Sequence, residues 1–292
     1  MREAIFTYEG IVNYCQTHFS KPKPENNRFR FSEQELEHLD AQAANIRQNP
    51  TPQFGFVVDL IGNGSGPMIR NPIRHQALFD QPNLLDFKYF LDSIHPGYRQ
   101  AYIWFGQASY MMMAHPSIRE ILSEGLELRY VFTVPLCRNH HQVESKRVYE
   151  WWQQNAQILR LSDEKILLAH FNRYTFLNSY QSVISQNGAI FSDIINPNSE
   201  NETASLFQIL KACMLPALLD SLPANEGKML QAHLQGKHSI KEIADSTDYS
   251  LDTVKTYQSR LLKRINPPYP LFPDKSFTTV KDAIGFLSRI IS

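Results

Sequence analysis

Lys255 and Lys263 stand eight residues apart with Ser259 midway, and Arg260 and Arg264 lie beside them. On a helix, positions four apart share a face, so this spacing builds a short basic ridge. Its chemistry is electrostatic: a row of ammonium and guanidinium groups neutralises phosphates, and a helix fits a DNA major groove. The intervening residues support a helix of that kind. Ser250 is a good N-cap, and Asp252 suits the positive end of the helix dipole. Val254, Tyr257 or Gln258, Leu261 and Ile265 form an apolar stripe that packs inward. A basic face on one amphipathic helix is more often just a solvated surface, so what precedes it decides the reading.

Upstream, Ile240–Ala244 reads as a short helix capped by Ser239, and Asp245–Tyr249 is a tight connection into the basic helix. Before both, Glu226–Leu234 reads as a helix closed by Gly236 in a left-handed stop. Together these residues resemble the DNA-binding domain of LuxR/GerE-type transcription regulators. The likeness is carried by Leu222, Glu226, Gly236, Lys241-Glu242-Ile243-Ala244 and Ser250-x-x-Thr253-Val254-Lys255, with Tyr257 where the family has His. It covers about a quarter of the chain. The sequence departs from the pattern by one extra residue between Gly236 and Lys241, by Thr247 at a usually apolar position, and by Asn225 and Gly227 in place of charged residues.

The resemblance implies that Lys241 touches phosphate and that Val254, Lys255 and residues one turn on read or flank bases. The DNA-binding set it suggests is Lys241, Ser250, Thr253, Val254, Lys255, Tyr257, Gln258, Arg260 and Lys263. It also implies double-stranded DNA as partner, a homodimer placing two such helices in successive grooves, and a contact with RNA polymerase. The alternative is a small-molecule sensor or interaction module whose helix-turn-helix contacts a protein.

Behind this motif stand elements that must position it. Residues 1–50 read as helical, with Tyr8, Ile11, Val12, Cys15 and Phe19 at helical spacing and Ser32–Glu35 opening a second helix as a capping box. Residues 51–185 begin with a strand at Gln53–Ile61, a turn at Gly62–Pro67 and a returning strand at Met68–Arg70. Helices follow at Leu84–Ile94 and Tyr98–Met113, then strands at Leu126–Leu136, Arg147–Leu161 and Lys165–Leu177. Two strands, a helical side wall and three strands resemble a PAS sensor domain, which leaves room for a small-molecule ligand. Residues 186–220 are read as a linker around Asn196–Asn201 and a connecting helix interrupted at Pro216. Residues 221–292 hold the DNA-binding domain. The expected fold class is α+β: a PAS-like antiparallel sheet with a helical side wall, plus an all-α helix-turn-helix domain.

Net charge is zero, but residues 221–292 carry ten Lys/Arg against seven Asp/Glu, while the preceding ones carry 19 against 22. A basic module on an acidic one has the right sign for a nucleic-acid partner. No long apolar run or basic leader is present, so a cytoplasmic location without membrane contact is expected. Cys15, Cys137 and Cys213 are too scattered for a disulfide framework or zinc site. Gly62-x-Gly64-x-Gly66 follows a strand, yet Pro67 denies it the helix of a dinucleotide loop. His140-His141 with Glu144 and the distant His170 have no metal-ligand spacing. Trp104, Trp151 and Trp152 read as core before pocket, and Met111–Met113 as adaptable packing. Asp59 lacks the companions of a phospho-accepting receiver. No nucleophile, base and acid come together, so neither catalysis nor a cofactor is expected.

Overall fold

The computed structural model describes residues 4–19, 30–60, 62, 66–74, 86–123, 129–137, 142–163, 166–179, 194–195, 200–268, 270–273 and 275–291. The fold is mixed α and β, in two compact units. A sheet unit gathers Tyr8–His95 and Met113–Phe207, and a C-terminal unit gathers Met1–Thr7, Pro96–Met112 and Gln208–Ser292.

The sheet unit contains β1 (Gln53–Asp59), β2 (Met68–Ile73), β3 (Arg129–Cys137), β4 (Tyr149–Leu161), β5 (Leu167–Ser179) and β6 (Ile194–Ile195). They form one antiparallel sheet in the order β2-β1-β5-β4-β3-β6. The expected hairpin forms, with Asp59 opposite Met68 and Val57 opposite Arg70. Asp59 is fully buried and ties the turn: its carboxylate accepts from the Gly62 N–H at 3.0 Å and pairs with Arg70 at 3.1 Å. Gly66 has φ 105°, and a Cβ there would lie 2.8 Å from Val12 of α1 (Tyr8–Phe19). Glycine is therefore required by close packing at a hairpin end, not by a bound phosphate. Asn63–Ser65 lie outside the described residues, as do His140 and His141.

Alternation along the strands sorts side chains onto two faces. On one, Phe54 stacks on Tyr174 at 4.4 Å, and Phe56 meets Phe90 of α3 (Phe87–Ser93) edge-on at 5.0 Å. Trp152 lies on this face against Phe54 and Phe176, as core. On the other, α2 (Glu33–Gln48) lays Leu39, Ala43 and Ile46 on Val57, Ile73, Ala169 and Phe171. The capping box of α2 forms: Ser32 Oγ accepts from the Glu35 N–H at 3.2 Å, and the Glu35 carboxylate accepts from the Ser32 N–H at 2.7 Å. Glu35 also pairs with Arg160 of β4. Burial pushes the Glu35 pKa up, but the bonds from Arg160 and Ser32 outweigh it and hold the carboxyl below its ordinary range.

Besides a short 3-10 turn at Glu144–Lys146, two elements of this unit have no counterpart in the sequence reading. These are α5 (Pro116–Ser123) and β6, which pairs with β3 over two residues. So short a strand exists through its partner and leaves no periodic pattern of its own.

The C-terminal unit contains most of α4 (Pro96–Met113), the end of α6 (Glu200–Ser221), α7 (Ala224–Leu234), α8 (Ile240–Thr247), α9 (Leu251–Ile265) and α10 (Val280–Ile291). Two expectations change here. The break at Pro216 does not occur, since α6 runs through it. And α4, expected in the side wall of the sheet, belongs to the C-terminal unit over Pro96–Met112. Trp104 is fully buried there, stacked on Phe6 at 6.1 Å and edge-on to Phe272 at 5.9 Å. Its indole N–H donates to the Met214 carbonyl at 2.8 Å. Gln100, also buried, accepts from the Ile5 and Phe6 N–H groups at 2.7 and 3.1 Å and donates to the Arg264 carbonyl at 3.1 Å. Trp104 thus serves as core, in a different unit from Trp151 and Trp152. Among the described residues, no helix is long and apolar enough to cross a membrane.

Candidate nucleic-acid interface

Three short helices, α7, α8 and α9, pack on one another, and α10 packs on α7 and α9. The ends of each are fixed by local chemistry. After α7, Gly236 takes φ 83° and the Lys237 N–H returns to the Ala232 carbonyl at 3.1 Å, closing the helix. In the loop before α8 the His238 N–H donates to the Glu242 carboxylate at 3.2 Å, so that donor is satisfied.

Glu242 and Ser239 form the capping box of α8, with bonds of 3.2 and 2.9 Å. Those bonds from Ser239 hold the Glu242 carboxyl below its ordinary pKa. Asp248 ends α8 in the left-handed region at φ 58°, and two residues later Ser250 caps α9 by accepting the Thr253 N–H at 3.1 Å. Two helices thus join through a turn of three residues.

The inward stripe of α9 is the one its spacing predicts: Val254, Leu261 and Ile265 are buried, and Tyr257 and Gln258 half-buried. Leu251, Asp252, Lys255, Thr256, Ser259, Arg260 and Lys263 are exposed and recur with the helical period as a continuous stripe. Lys241 is exposed on the first turn of α8. Lys255 sits 3.2 Å from Asp252, both well exposed, so the pair contributes about 1 kcal/mol or less and a phosphate can displace it. Arg260 lies over the Tyr257 ring, with Cζ 5.7 Å from the centroid. Ser250 and Thr253 bond each other's hydroxyls at 2.8 Å at the helix start.

Two residues of the DNA-binding set turn inward, and a third leaves the basic ridge. Val254 is 0% exposed and packs in the core, so it reaches no base. The Gln258 amide lies 3.2 Å from Nε2 of His233, which is 2% exposed; the bond directs Gln258 inward. Burial, and next the charge of His238, push the His233 pKa down to about 4, which keeps the ring neutral. Arg264 does not join the ridge, because its Nε sits 3.0 Å from the carboxylate of Glu226, itself 2% exposed. The spacing of Val254 and Arg264 already placed them at or beside the inward stripe. For Val254 it was the resemblance that drew it outward.

The sequence reading passed over Leu251 and Thr256, which the inward stripe places outside by elimination, and it assigned no role to Tyr249. Tyr249 donates its hydroxyl to the side-chain Oδ1 of Asn225 at 2.7 Å, and the Asn225 side-chain Nδ2 donates to the Tyr257 hydroxyl at 2.9 Å. Asn225 and Tyr257 therefore meet each other.

No protein-family model matches the chain, and no curated protein matches it. Among solved structures, the chain is similar to Escherichia coli SdiA at 15% identity over 90% of this chain and 92% of that one, with a TM-score of 0.22. A likeness of that strength carries no argument about function.

Proposed function

We propose that the protein is a DNA-binding transcription regulator of the LuxR type, with α8–turn–α9 as its helix-turn-helix and α9 entering the major groove. The observation that carries the reading is the outward stripe of α9. It presents Lys255, Arg260 and Lys263 to solvent over an apolar core, with Lys241 exposed on the helix before it. On this proposal the sheet unit is a PAS-like partner domain; what supports it is that β1 and β2 come first along the chain and β3, β4 and β5 follow after helices, although α4 belongs to the other unit. In this reading two cytoplasmic copies read half-sites about one helical turn apart, and the sheet unit senses a small molecule or sets the dimer. A contact with RNA polymerase completes the scheme.

The test is a gel-shift series on genomic fragments across a range of salt. Wild type is expected to bind in a salt-dependent way, and Lys255→Ala and Lys263→Ala each to weaken binding and lower the salt slope by about one. If wild type binds no fragment in this manner, the reading fails.

A second reading draws on Asp252, a carboxylate within the outward stripe and paired with Lys255. A mixed-charge face suits a protein partner as well as a groove. Asp252→Ala separates the two: it strengthens binding if α9 meets phosphates, and it weakens capture of a basic protein partner if α9 docks on one.

A further inference from the structure

Three elements of the C-terminal unit converge on one small network. Asn225 comes from the first turn of α7, Tyr249 from the turn between α8 and α9, and Tyr257 from the middle of α9. The Asn225 amide bonds both phenol hydroxyls, at 2.7 and 2.9 Å, and the two rings lie 5.6 Å apart at 59°. Arg260 follows Tyr257 by three residues, on the same side of the helix one turn on, with its guanidinium carbon 5.7 Å from that ring's centroid. Arg260 itself is exposed.

We infer that Tyr257, braced by Asn225 and Tyr249, is a positioning residue that holds Arg260 as a clamp for one DNA phosphate beside the groove. This rests on the reading of α9 as a DNA-binding helix and names a working part of it. The physical case has two steps. An exposed Arg side chain samples many rotamers, and fixing it on a phosphate carries an entropic cost. A ring held from three elements gives the guanidinium a flat surface to rest on and reduces that cost, while leaving its N–H edge available for a bidentate phosphate contact. Lys255 sits beside the exposed Asp252 carboxylate and not on a ring, and a lysine ammonium meets phosphate as a point charge. The clamp contacts phosphate and not bases, so it contributes affinity without sequence preference.

That last property makes the test independent of any target sequence. The full-length protein is titrated with a fluorescent duplex of mixed sequence at several salt concentrations. Wild type, Arg260→Ala, Tyr257→Leu, Tyr257→Phe, Asn225→Ala and the double variant Tyr257→Leu/Arg260→Ala are compared, with the unfolding midpoint recorded for each. Arg260→Ala is expected to lower the salt slope by about 0.9, one phosphate contact. Tyr257→Leu is expected to lose most of the same slope, and the double variant to lose no more than Arg260→Ala alone. Tyr257→Phe keeps the ring and recovers most of the slope, and Asn225→Ala shifts it in the same direction by less.

A merely structural role for Tyr257 would lower the unfolding midpoint and leave the slope unchanged, which overturns the inference. So would additive slope losses in the double variant. If Lys255→Ala lowers the slope while Tyr257→Leu does not, this inference alone falls. If wild type shows no salt-dependent binding, it falls together with the proposed function.

Discussion

The two units bury the same kinds of polar group for different ends. In the sheet unit, Asp59 is buried and pairs with the largely buried Arg70; in the C-terminal unit, Glu226 is buried and pairs with the largely buried Arg264. Each unit also has a buried histidine beside a side-chain amide: His170 beside Asn172 at 3.0 Å, and His233 beside Gln258 at 3.2 Å. In the sheet unit these groups lie on or next to strands whose register already fixes them, so they trim a hairpin and a strand. In the C-terminal unit they join separate short helices, α7 to α9 in both cases. Helices of eight to fifteen residues are marginal alone, so their mutual orientation depends on such ties more than a sheet does.

The largest test of this contrast is Trp104→Ala. Trp104 lies in the middle of the chain, yet its partners Phe6, Met214 and Phe272 all belong to the C-terminal unit. Removing it is expected to cost that unit about 3–5 kcal/mol, the usual range for a buried Trp. Hydrogen exchange is the measurement: amides of α7–α10 should lose protection while those of β1, β4 and β5 keep theirs. Loss confined to the strands would refute the division into units.

Next come the ion pairs. Glu226→Ala leaves a largely buried guanidinium without its carboxylate, and Asp59→Ala does the same to Arg70 while also uncapping the Gly62 N–H. Each should cost about 2–4 kcal/mol, below the full range for a deeply buried pair because both arginines retain some solvent contact. The comparison is sharpened by what else changes. Glu226→Ala should loosen α7 from α9 and weaken DNA binding in a gel shift; Asp59→Ala should leave binding at wild-type strength.

The same contrast explains what the sequence disclosed. Caps and turns are local, and Ser32–Glu35, Ser239–Glu242, Gly236 and Ser250 all mark helix ends where their residue types say they should. The places of five strands along the chain were legible because turn residues such as Gly62–Pro67 bound β-rich runs, while their order in the sheet was not read. What was not legible is which helix joins which unit. The apolar face of α4 suits either body, and only contacts some hundred residues away, from Trp104 to Met214 and from Gln100 to Arg264, decide it. In the candidate interface, the helical period predicted the exposed stripe correctly. The same period set Gln258 on the inward stripe and Arg264 beside it; what it could not show is that their partners, His233 and Glu226, sit on another helix.

Acid should affect both units through the histidines. Burial lowers the pKa of His170 from 6.5 to about 4 despite its bond to Asn172, and burial with the His238 charge does the same to His233. A ring kept neutral in the fold contributes stability that is fully present above pH 6.5. That stability is lost as pH falls from 6.5 towards about 4, because the unfolded chain binds a proton that the folded one refuses. Each site is worth on the order of 2–3 kcal/mol across that window. Urea unfolding at a series of pH values should show the loss, and His233→Gln should flatten it for the C-terminal unit only. An unchanged pH profile in His233→Gln would show that His233 is not the group responsible.

The smallest expected effect discriminates most finely, because the two capping boxes differ in one respect. Ser32→Ala and Ser239→Ala each remove one cap and should cost about 1 kcal/mol. Their acidic partners are not equivalent. Glu242 bonds only to its own helix start, at His238 and Ser239, whereas Glu35 also holds Arg160 of β4. Glu35→Ala should therefore exceed Ser32→Ala, while Glu242→Ala should match Ser239→Ala. A double-mutant cycle of Glu35→Ala with Arg160→Ala supplies the check: a coupling near zero would make α2 a helix that caps itself, and a clear coupling makes it one anchored to the sheet through its first turn. For α8 no such anchor exists among the described bonds of Glu242. The cap of α8 is local, while its buried Ile243 packs it into the unit, so losing the cap should loosen the turn that carries the exposed Lys241 without releasing the helix.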